Sequence, residues 1–97
     1  MTGSFFVYIL ASAKHGTLYV GMTNDLMRRA FEHREGLIAG FTKTYGVKRL
    51  VYYEECAGAP AAYARERRIK KYKREWKINL IERLNPEWID LYPGLSK

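Results

Sequence analysis

The sequence predicts an α+β fold in which helices flank a small three-stranded antiparallel sheet, in the order β-β-α-β-α with a short helical turn at the end. Residues 5–11, 17–22 and 48–55 are short runs rich in β-branched and aromatic residues, a composition typical of strands. Residues 25–35 and 61–84 are longer stretches in which apolar residues recur at helical spacing. Because a small sheet needs helices to cover it, the two patterns together favour a layered α+β domain.

The first two strands form a predicted hairpin. The turn between them contains Lys14, His15 and Gly16, which are residues suited to a hairpin loop. The third strand must pair with one edge of this hairpin, and the sequence leaves open which edge it joins.

The predicted helix over 25–35 carries signals at both ends. Thr23 or Asn24 can cap its first turn, and Asp25 places a negative charge at the positive end of the helix dipole. Gly36 follows the last turn, where a glycine commonly ends a helix.

The predicted helix over 61–84 is long, and its sequence indicates a break or bend near Lys73. Pro60 suits the start of this helix, and the Asn85-Pro86 pair ends it, because a residue before proline disfavours helical geometry. The predicted inner face is apolar except for one acid, and its members are Ala62, Glu66, Ile69, Trp76, Leu80 and Leu84.

Length and composition narrow the class of protein. The 97 residues fit a single domain over 1–97, and 47% hydrophobic residues are enough for a folded core. The single cysteine, Cys56, excludes an internal disulfide framework and a cysteine-rich zinc site. The first residues do not form a signal peptide, and no apolar run approaches ~18 residues, so we expect a soluble cytoplasmic protein.

The positive charge indicates an anionic partner. The net charge is +7, which favours nucleic acid before a membrane, although a soluble basic protein without such a partner is the ordinary alternative. Eight of the 17 basic residues are clustered on the long helix and are the predicted nucleic-acid-binding residues: Arg65, Arg67, Arg68, Lys70, Lys71, Lys73, Arg74 and Lys77.

Three features of the helices and strands suggest a site. Arg29 and His33 are four residues apart, so they stack on one edge of the apolar face of their helix. Glu66 falls on an inner face, where a carboxylate needs either a basic partner or a cation. Tyr8 and Tyr19 lie one on each hairpin strand, which can bring their hydroxyls together, although a strand tyrosine is usually a packing residue.

With these residues in place, the chain resembles the GIY-YIG nuclease superfamily, and within it the small single-domain bacterial endonuclease branch. Phe6-Val7-Tyr8 stands where that family has Gly-Ile-Tyr, and Tyr19-Val20-Gly21 stands where it has Tyr-Ile-Gly. The resemblance extends from Phe6 to Leu91, nearly the whole chain.

The resemblance also assigns residues on the helices. Arg29 and His33 match the arginine and histidine of the family's first helix, and Glu66 matches its metal-binding glutamate. The family's asparagine has two candidates, Asn79 and Asn85, of which Asn85 is preferred. No role is carried over to residues 42–45. Phe6 departs from the glycine of the first tripeptide, which leaves Tyr8 in place.

The resemblance implies a chemistry for these residues. A single Mg²⁺ or Mn²⁺ would sit on Glu66, and Arg29 would pair with the scissile phosphate. Tyr8 would orient the attacking water and act as general base, helped by Tyr19 or His33. Because an unperturbed tyrosine has a pKa near ~10, Tyr8 would need nearby positive charge to lower its pKa.

The expected function is therefore a metal-dependent DNA endonuclease that is structure-directed or weakly sequence-specific, with a role in DNA repair or recombination. Two alternatives stay open: a nucleic-acid-binding module of the same fold with little or no cleavage, and an RNA-directed nuclease. DNA is expected before RNA, a protein partner could target the enzyme, and the oligomeric state stays open. A role only in protein interaction leaves Glu66 and the edge formed by Arg29 and His33 unexplained.

Overall fold

The computed structural model of the protein describes residues 4–95. Its sheet has three antiparallel strands in the order β2-β1-β3, formed by β1 (Phe5–Ala11), β2 (Leu18–Thr23) and β3 (Arg49–Cys56). β3 therefore joins the free edge of β1, which answers the question that the sequence left open. The predicted α+β class and three-stranded antiparallel sheet are confirmed.

Helices follow the strands in the predicted order, with one addition. The long helices are α1 (Leu26–Arg34), α3 (Ala59–Lys70) and α4 (Arg74–Leu84). A four-residue helix, α2 (Phe41–Thr44), was not predicted, and a short 3-10 helix closes the chain at Tyr92–Leu95. Within residues 4–95, the helices are too short or too polar to cross a membrane.

Each face of the sheet has its own core, because side chains alternate along a strand. Towards α3 and α4, Val7 and Ile9 pack with Ala62 and Ile69. On the other face, Tyr8 and Leu10 pack with residues of α1. Tyr8 therefore lies on the α1 side of the sheet.

The helix α1 begins one residue later than its expected caps. Asp25 is the N-cap, and its Oδ1 accepts a hydrogen bond from the Arg28 backbone N–H at 3.2 Å, so neither Thr23 nor Asn24 has that role. Gly36 follows the helix with φ of +70°, the left-handed conformation that the sequence predicted for this position.

The predicted break near Lys73 is confirmed and divides the long helix in two. Lys73 is extended, with φ of −60° and ψ of 155°, so α4 begins with a new rotational phase. This shift corrects the predicted inner face: Trp76 is 48% exposed and Leu84 is 76% exposed, whereas Ala62 and Ile69 are fully buried.

The hairpin turn is held against α4. The Arg74 guanidinium donates hydrogen bonds to the backbone carbonyls of His15 and Gly16 at 2.6 and 2.7 Å. Glu82 accepts a hydrogen bond from the indole N–H of the buried Trp88 at 2.7 Å, and it lies 2.8 Å from His15 Nε2. These contacts fix the end of the hairpin on the helical layer.

Candidate active site

The candidate site begins with a close approach between the two hairpin strands. Tyr8 and Gly21 are register partners, so both face α1. A Cβ atom on Gly21 would lie only 2.6 Å from Tyr8 Oη and 2.7 Å from Tyr8 Cζ. The phenol of Tyr8 therefore crosses over β2 through the space that the missing side chain of Gly21 leaves.

Tyr8, Tyr19, His33 and Thr42 form a cluster that is centred on the buried imidazole of His33. Tyr8 Oη lies 3.2 Å from His33 Nε2, and His33 Nδ1 lies 3.1 Å from Thr42 Oγ1. The ring of Tyr19 is 6.3 Å from that of Tyr8 and 5.6 Å from that of His33, measured between centroids. His33 is only 4% exposed and is therefore a buried histidine.

Burial sets the protonation of this cluster. Burial, with a smaller effect of Tyr19, raises the pKa of Tyr8 to about 12, whereas hydrogen bonding and charge from Arg29 act in the opposite direction. Burial and then the charge of Arg29 lower the pKa of His33 below its ordinary 6.5. At neutral pH both groups are therefore uncharged, and the protein alone does not lower the pKa of Tyr8 as a general base requires.

Arg29 lies at the open side of this cluster. Its Nε is 3.3 Å from Glu32 Oε1, and Arg28 Nε contacts the other oxygen of the same carboxylate at 3.2 Å. A small open pocket of about 150 Å³ is lined by Thr23, Asn24, Asp25, Arg28, Arg29 and Glu32. Arg29 is therefore placed between the buried phenol and a surface that a phosphate can reach.

Glu66 lies on α3, close enough to Tyr8 for its charge to act on the phenol. Its negative charge contributes to the raised pKa of Tyr8, which requires proximity. The side chain is 13% exposed, and its Oε2 pairs with Lys70 Nζ at 3.0 Å. Within the part of the chain that the structure describes, Oε1 has no hydrogen-bond partner.

The donor set fits a cation that keeps most of its own ligands. Among residues 4–95 there is no group of three or more histidine, cysteine, aspartate and glutamate side chains that could hold a metal. Mg²⁺ often takes only one or two protein carboxylates and fills its shell with water and substrate oxygens. The unpartnered oxygen of Glu66 suits that role, whereas a zinc-type site needs more ligands than this site offers.

The preferred asparagine has a structural role. Asn85 is buried, and its Nδ2 donates to the backbone carbonyls of Val51 at 3.0 Å and Ile89 at 2.9 Å. Its Oδ1 accepts from the Ile89 N–H at 3.0 Å, so the amide ties α4 to β3 and to the following segment. Asn85 as a site residue stays a prediction, while both amide hydrogens and one lone pair of Oδ1 are already bonded within the fold.

Asn79 has a different environment. It lines an open pocket of about 390 Å³, together with Arg65, Tyr72, Trp76, Leu80 and Arg83. Its amide forms no hydrogen bond to any residue that the structure describes. Of the two asparagines, Asn79 is the one whose side chain is available.

Two of the eight basic residues predicted to bind nucleic acid are occupied by the protein itself. Arg65 Nε donates to Glu54 Oε2 at 2.8 Å, and the hydrogen bond to Glu54 raises the pKa of Arg65 further above its ordinary value. Arg74 binds the hairpin turn. A phosphate would have to compete with these partners, so nucleic-acid binding by Arg65 and Arg74 stays a prediction that the observed contacts do not favour.

The other six basic residues differ in their freedom. Lys70 pairs with Glu66, Arg67 stacks on the Tyr63 ring, and Lys73 lies over the Trp76 ring. Lys77 is partly buried. Arg68 and Lys71 are exposed and have no partner among the described residues, and they share a shallow surface with Tyr63, Ala64 and Arg67.

Sequence reasoning missed Thr42. This residue is buried in α2, nine positions after His33, and it contacts the histidine nitrogen that faces away from Tyr8. No helical or strand periodicity joins the two positions, so the sequence carried no signal for this contact. The structure thus brings Tyr8, Tyr19 and His33 into contact and adds Thr42, while Arg29 and Glu66 lie near enough for their charges to act on the pKa of Tyr8.

Comparison with known proteins shows the family of this chain. The model of the GIY-YIG catalytic domain matches residues 4–79. A UPF0213 protein of Clostridium perfringens is 41% identical over 76 residues, which are 78% of this chain and 81% of that protein. A UPF0213 protein of Staphylococcus aureus is 38% identical over 79 residues, 81% of this chain and 95% of the relative. The solution NMR structure of a UPF0213 protein of Bacillus halodurans matches with a TM-score of 0.56 and 30% identity, covering 97% of this chain and 98% of that one.

Proposed function

This chain belongs to the GIY-YIG nuclease family, and from that premise we propose that it is a metal-dependent endonuclease that hydrolyses phosphodiester bonds in DNA. One observation carries the proposal. The buried hydroxyl of Tyr8 lies 3.2 Å from Nε2 of His33, with the charges of Arg29 and Glu66 close enough to shift the pKa of Tyr8. A phenol, a neutral imidazole, a guanidinium and a carboxylate in one place suit phosphate chemistry better than they suit packing.

Each side chain has a distinct part in the reaction. Arg29 pairs with the scissile phosphate, where a planar guanidinium matches the phosphate oxygens. Tyr8 orients the attacking water and passes a proton to His33, and Tyr19 packs beside both rings. Glu66 would hold the Mg²⁺ or Mn²⁺ ion through its free oxygen. A bound cation of this kind supplies charge neutralisation at the phosphate and at the leaving oxygen.

The outer surface of α3 supports a nucleic-acid substrate. Tyr63, Arg67 and Lys70 are exposed and share one helix face because they are spaced by four and three residues. Arg68 and Lys71 add charge beside this face and contact no described residue. Contacts of this type reach the phosphate backbone and carry no base sequence, which favours structure-directed or weakly sequence-specific cutting. A role in DNA repair or recombination, with a protein partner for targeting, belongs to the same proposal.

One contact favours a second candidate, a nucleic-acid-binding module of the same fold with little cleavage. Lys70 Nζ lies 3.0 Å from Glu66 Oε2 and neutralises the carboxylate that the cation would need. If this pair persists when nucleic acid is bound, the protein binds without cutting. Activity on RNA is the other alternative, and matched RNA strands separate it from activity on DNA.

The test is cleavage of labelled duplex, single-strand, flap and four-way-junction DNA, with matched RNA, in Mg²⁺, in Mn²⁺ and in EDTA. We expect metal-dependent cutting that falls by roughly a hundredfold or more in Glu66→Gln, because that change removes the carboxylate charge and keeps its shape. Glu75→Gln is the matched control, since Glu75 is an exposed glutamate at the start of α4.

The outcomes separate the candidates. Cutting lost in Glu66→Gln, with binding and folding retained, supports the nuclease. Salt-sensitive binding without cutting by the wild-type protein supports the binding module and refutes the proposal. Unfolding of Glu66→Gln would make Glu66 a structural residue.

A further inference from the structure

We infer that Thr42 is a positioning residue of this site, whose hydroxyl fixes the tautomer and the ring orientation of His33 so that Nε2 accepts the proton of Tyr8. The inference rests on the proposed function, because it states how that function's proton acceptor is prepared. It extends the site to α2, which carries no residue assigned from the sequence.

The geometry places the two partners on opposite edges of one ring. Tyr8 Oη lies 3.2 Å from Nε2, and Thr42 Oγ1 lies 3.1 Å from Nδ1. His33 and Thr42 are 4% and 5% exposed, so water competes little for either nitrogen. A ring held at both nitrogens cannot flip without breaking two hydrogen bonds in a buried place.

The chemistry of the neighbours decides which nitrogen carries the hydrogen. Arg29 can only donate to Tyr8 Oη, so the proton of Tyr8 is free to point towards His33. Tyr8 is protonated at neutral pH because its pKa is about 12, and it therefore donates to Nε2. A neutral imidazole has one N–H and one acceptor, so Nδ1 carries the hydrogen and donates it to Thr42 Oγ1.

The proton balance of the step follows from this tautomer. The hydroxyl proton of Tyr8 moves to Nε2, and the phenolate oxygen, stabilised by Arg29, takes a proton from the attacking water. The resulting hydroxide oxygen bonds to phosphorus while the bond from phosphorus to the leaving oxygen breaks, and the leaving oxygen takes a proton from solvent. The imidazolium keeps its Nδ1–H bond to Thr42 throughout, and the buried charge of His33 is thereby hydrogen-bonded.

The backbone around Thr42 holds its hydroxyl in place. Gly40 precedes α2 with φ of +111°, a conformation that side-chain-bearing residues rarely adopt. The carbonyl of Thr42 accepts a hydrogen bond from the N–H of the fully buried Val47 at 2.8 Å. Helix α2 is thus hydrogen-bonded to a buried residue of the core, and His33 is also buried.

The test removes and restores this hydroxyl. Thr42→Val keeps the shape and lacks the hydroxyl, Thr42→Ala is a second variant without it, and Thr42→Ser retains it. Thr44→Val is the matched control, because Thr44 is an exposed threonine of the same short helix. The readouts are the nitrogen NMR shifts of the His33 ring, which report its tautomer, and kcat and KM on the labelled DNA panel with Mg²⁺.

We expect Thr42→Val to lower kcat by about tenfold with KM unchanged, and to give His33 a mixture of tautomers. Thr42→Ser should restore the single tautomer and most of kcat, and Thr44→Val should match the wild type. The inference would be overturned if Thr42→Val or Thr42→Ala folds and keeps the single Nδ1–H tautomer. It would also be overturned if Thr42→Ser restores neither the tautomer nor kcat relative to Thr42→Val. If the wild type cuts none of the DNAs, the proposed function fails, and the tautomer measurement alone decides the role of Thr42.

Discussion

Replacing Gly21 with alanine tests directly how β2 supports the site. The new Cβ would lie 2.6 Å from Tyr8 Oη and 3.0 Å from Tyr19 Cε2, whereas ordinary contacts begin at 3.4 Å. The difference between 3.4 and 2.6 Å means that the Tyr8 hydroxyl must retreat by about 0.8 Å. The backbone beneath it is a strand paired with β1, so the phenol moves rather than the strand.

That retreat breaks the contact on which the proposed proton transfer depends. Tyr8 Oη and His33 Nε2 are 3.2 Å apart, which is already at the long end for a hydrogen bond. A misplacement of about 1 Å near the reacting groups can cost about a hundredfold in rate. Overpacking of this kind costs about 1–3 kcal/mol of stability, less than the ~5–15 kcal/mol of a typical domain, so the variant should still fold.

The assay compares kcat on the best-cut labelled DNA with thermal denaturation of the same samples. Gly94→Ala is the control, because a Cβ at Gly94 meets no atom within 4 Å. We expect about a hundredfold loss of kcat in Gly21→Ala and none in the control. A folded Gly21→Ala protein that cuts at the wild-type rate would refute the claim that the crossing of Tyr8 over β2 positions its hydroxyl.

Two further predictions concern charge. In the double variant Arg68→Ala/Lys71→Ala, the slope of log affinity for duplex DNA against log salt concentration should become shallower by roughly 1 per residue replaced. The control Lys14→Ala, at the hairpin turn, should leave the slope unchanged. Equal slopes for the wild type, the double variant and the control would exclude this surface as the DNA contact. The pKa values of Tyr8 and Tyr52 are raised from 10.0 to about 12, mainly by burial, so their neutral forms stabilise the fold below pH 10, and this stability is lost as pH rises through 12. Denaturation at a series of alkaline pH values measures this loss of stability. In the double variant Tyr8→Phe/Tyr52→Phe, the free energy of unfolding should fall less steeply between pH 10 and pH 12 than in the wild type. A pH profile equal to that of the wild type would contradict the prediction.

The elements that the sequence predicts well are those whose signal is local. The strands and α1 show their own periodicity and boundary residues, and the break near Lys73 is visible in a run of charged residues. Helix α2 has only four residues, fewer than the repeat that reveals amphipathic character. The edge that β3 joins depends on packing between distant segments, which local pattern does not encode.

The site also has residues that the sequence could reveal and features that depend on the fold. Tyr8, Tyr19, Arg29, His33 and Glu66 could be named because their spacing in the chain matches a family pattern. The choice between Asn79 and Asn85 could not be made, since it depends on which amide is already bonded to the backbone. The sequence also could not predict that the pKa of Tyr8 is raised. Burial outweighs the charge of Arg29, and burial is a property of the fold.

The basic run on α3 and α4 is not one surface, and this follows from helix geometry. Neighbouring helical residues point about 100° apart, so Arg65, Glu66 and Arg67 must face three different surroundings. Arg65 pairs with Glu54 of β3 at 2.8 Å, and Arg67 stacks on Tyr63 at the surface, 5.5 Å from guanidinium carbon to ring centroid. The pair between Arg65 and Glu54 therefore restrains the rotation of α3 about its axis, and with it the direction in which Glu66 leaves the helix. The charge of Arg65 is therefore already paired within the fold. It helps to place the carboxylate of Glu66, which the proposed chemistry requires.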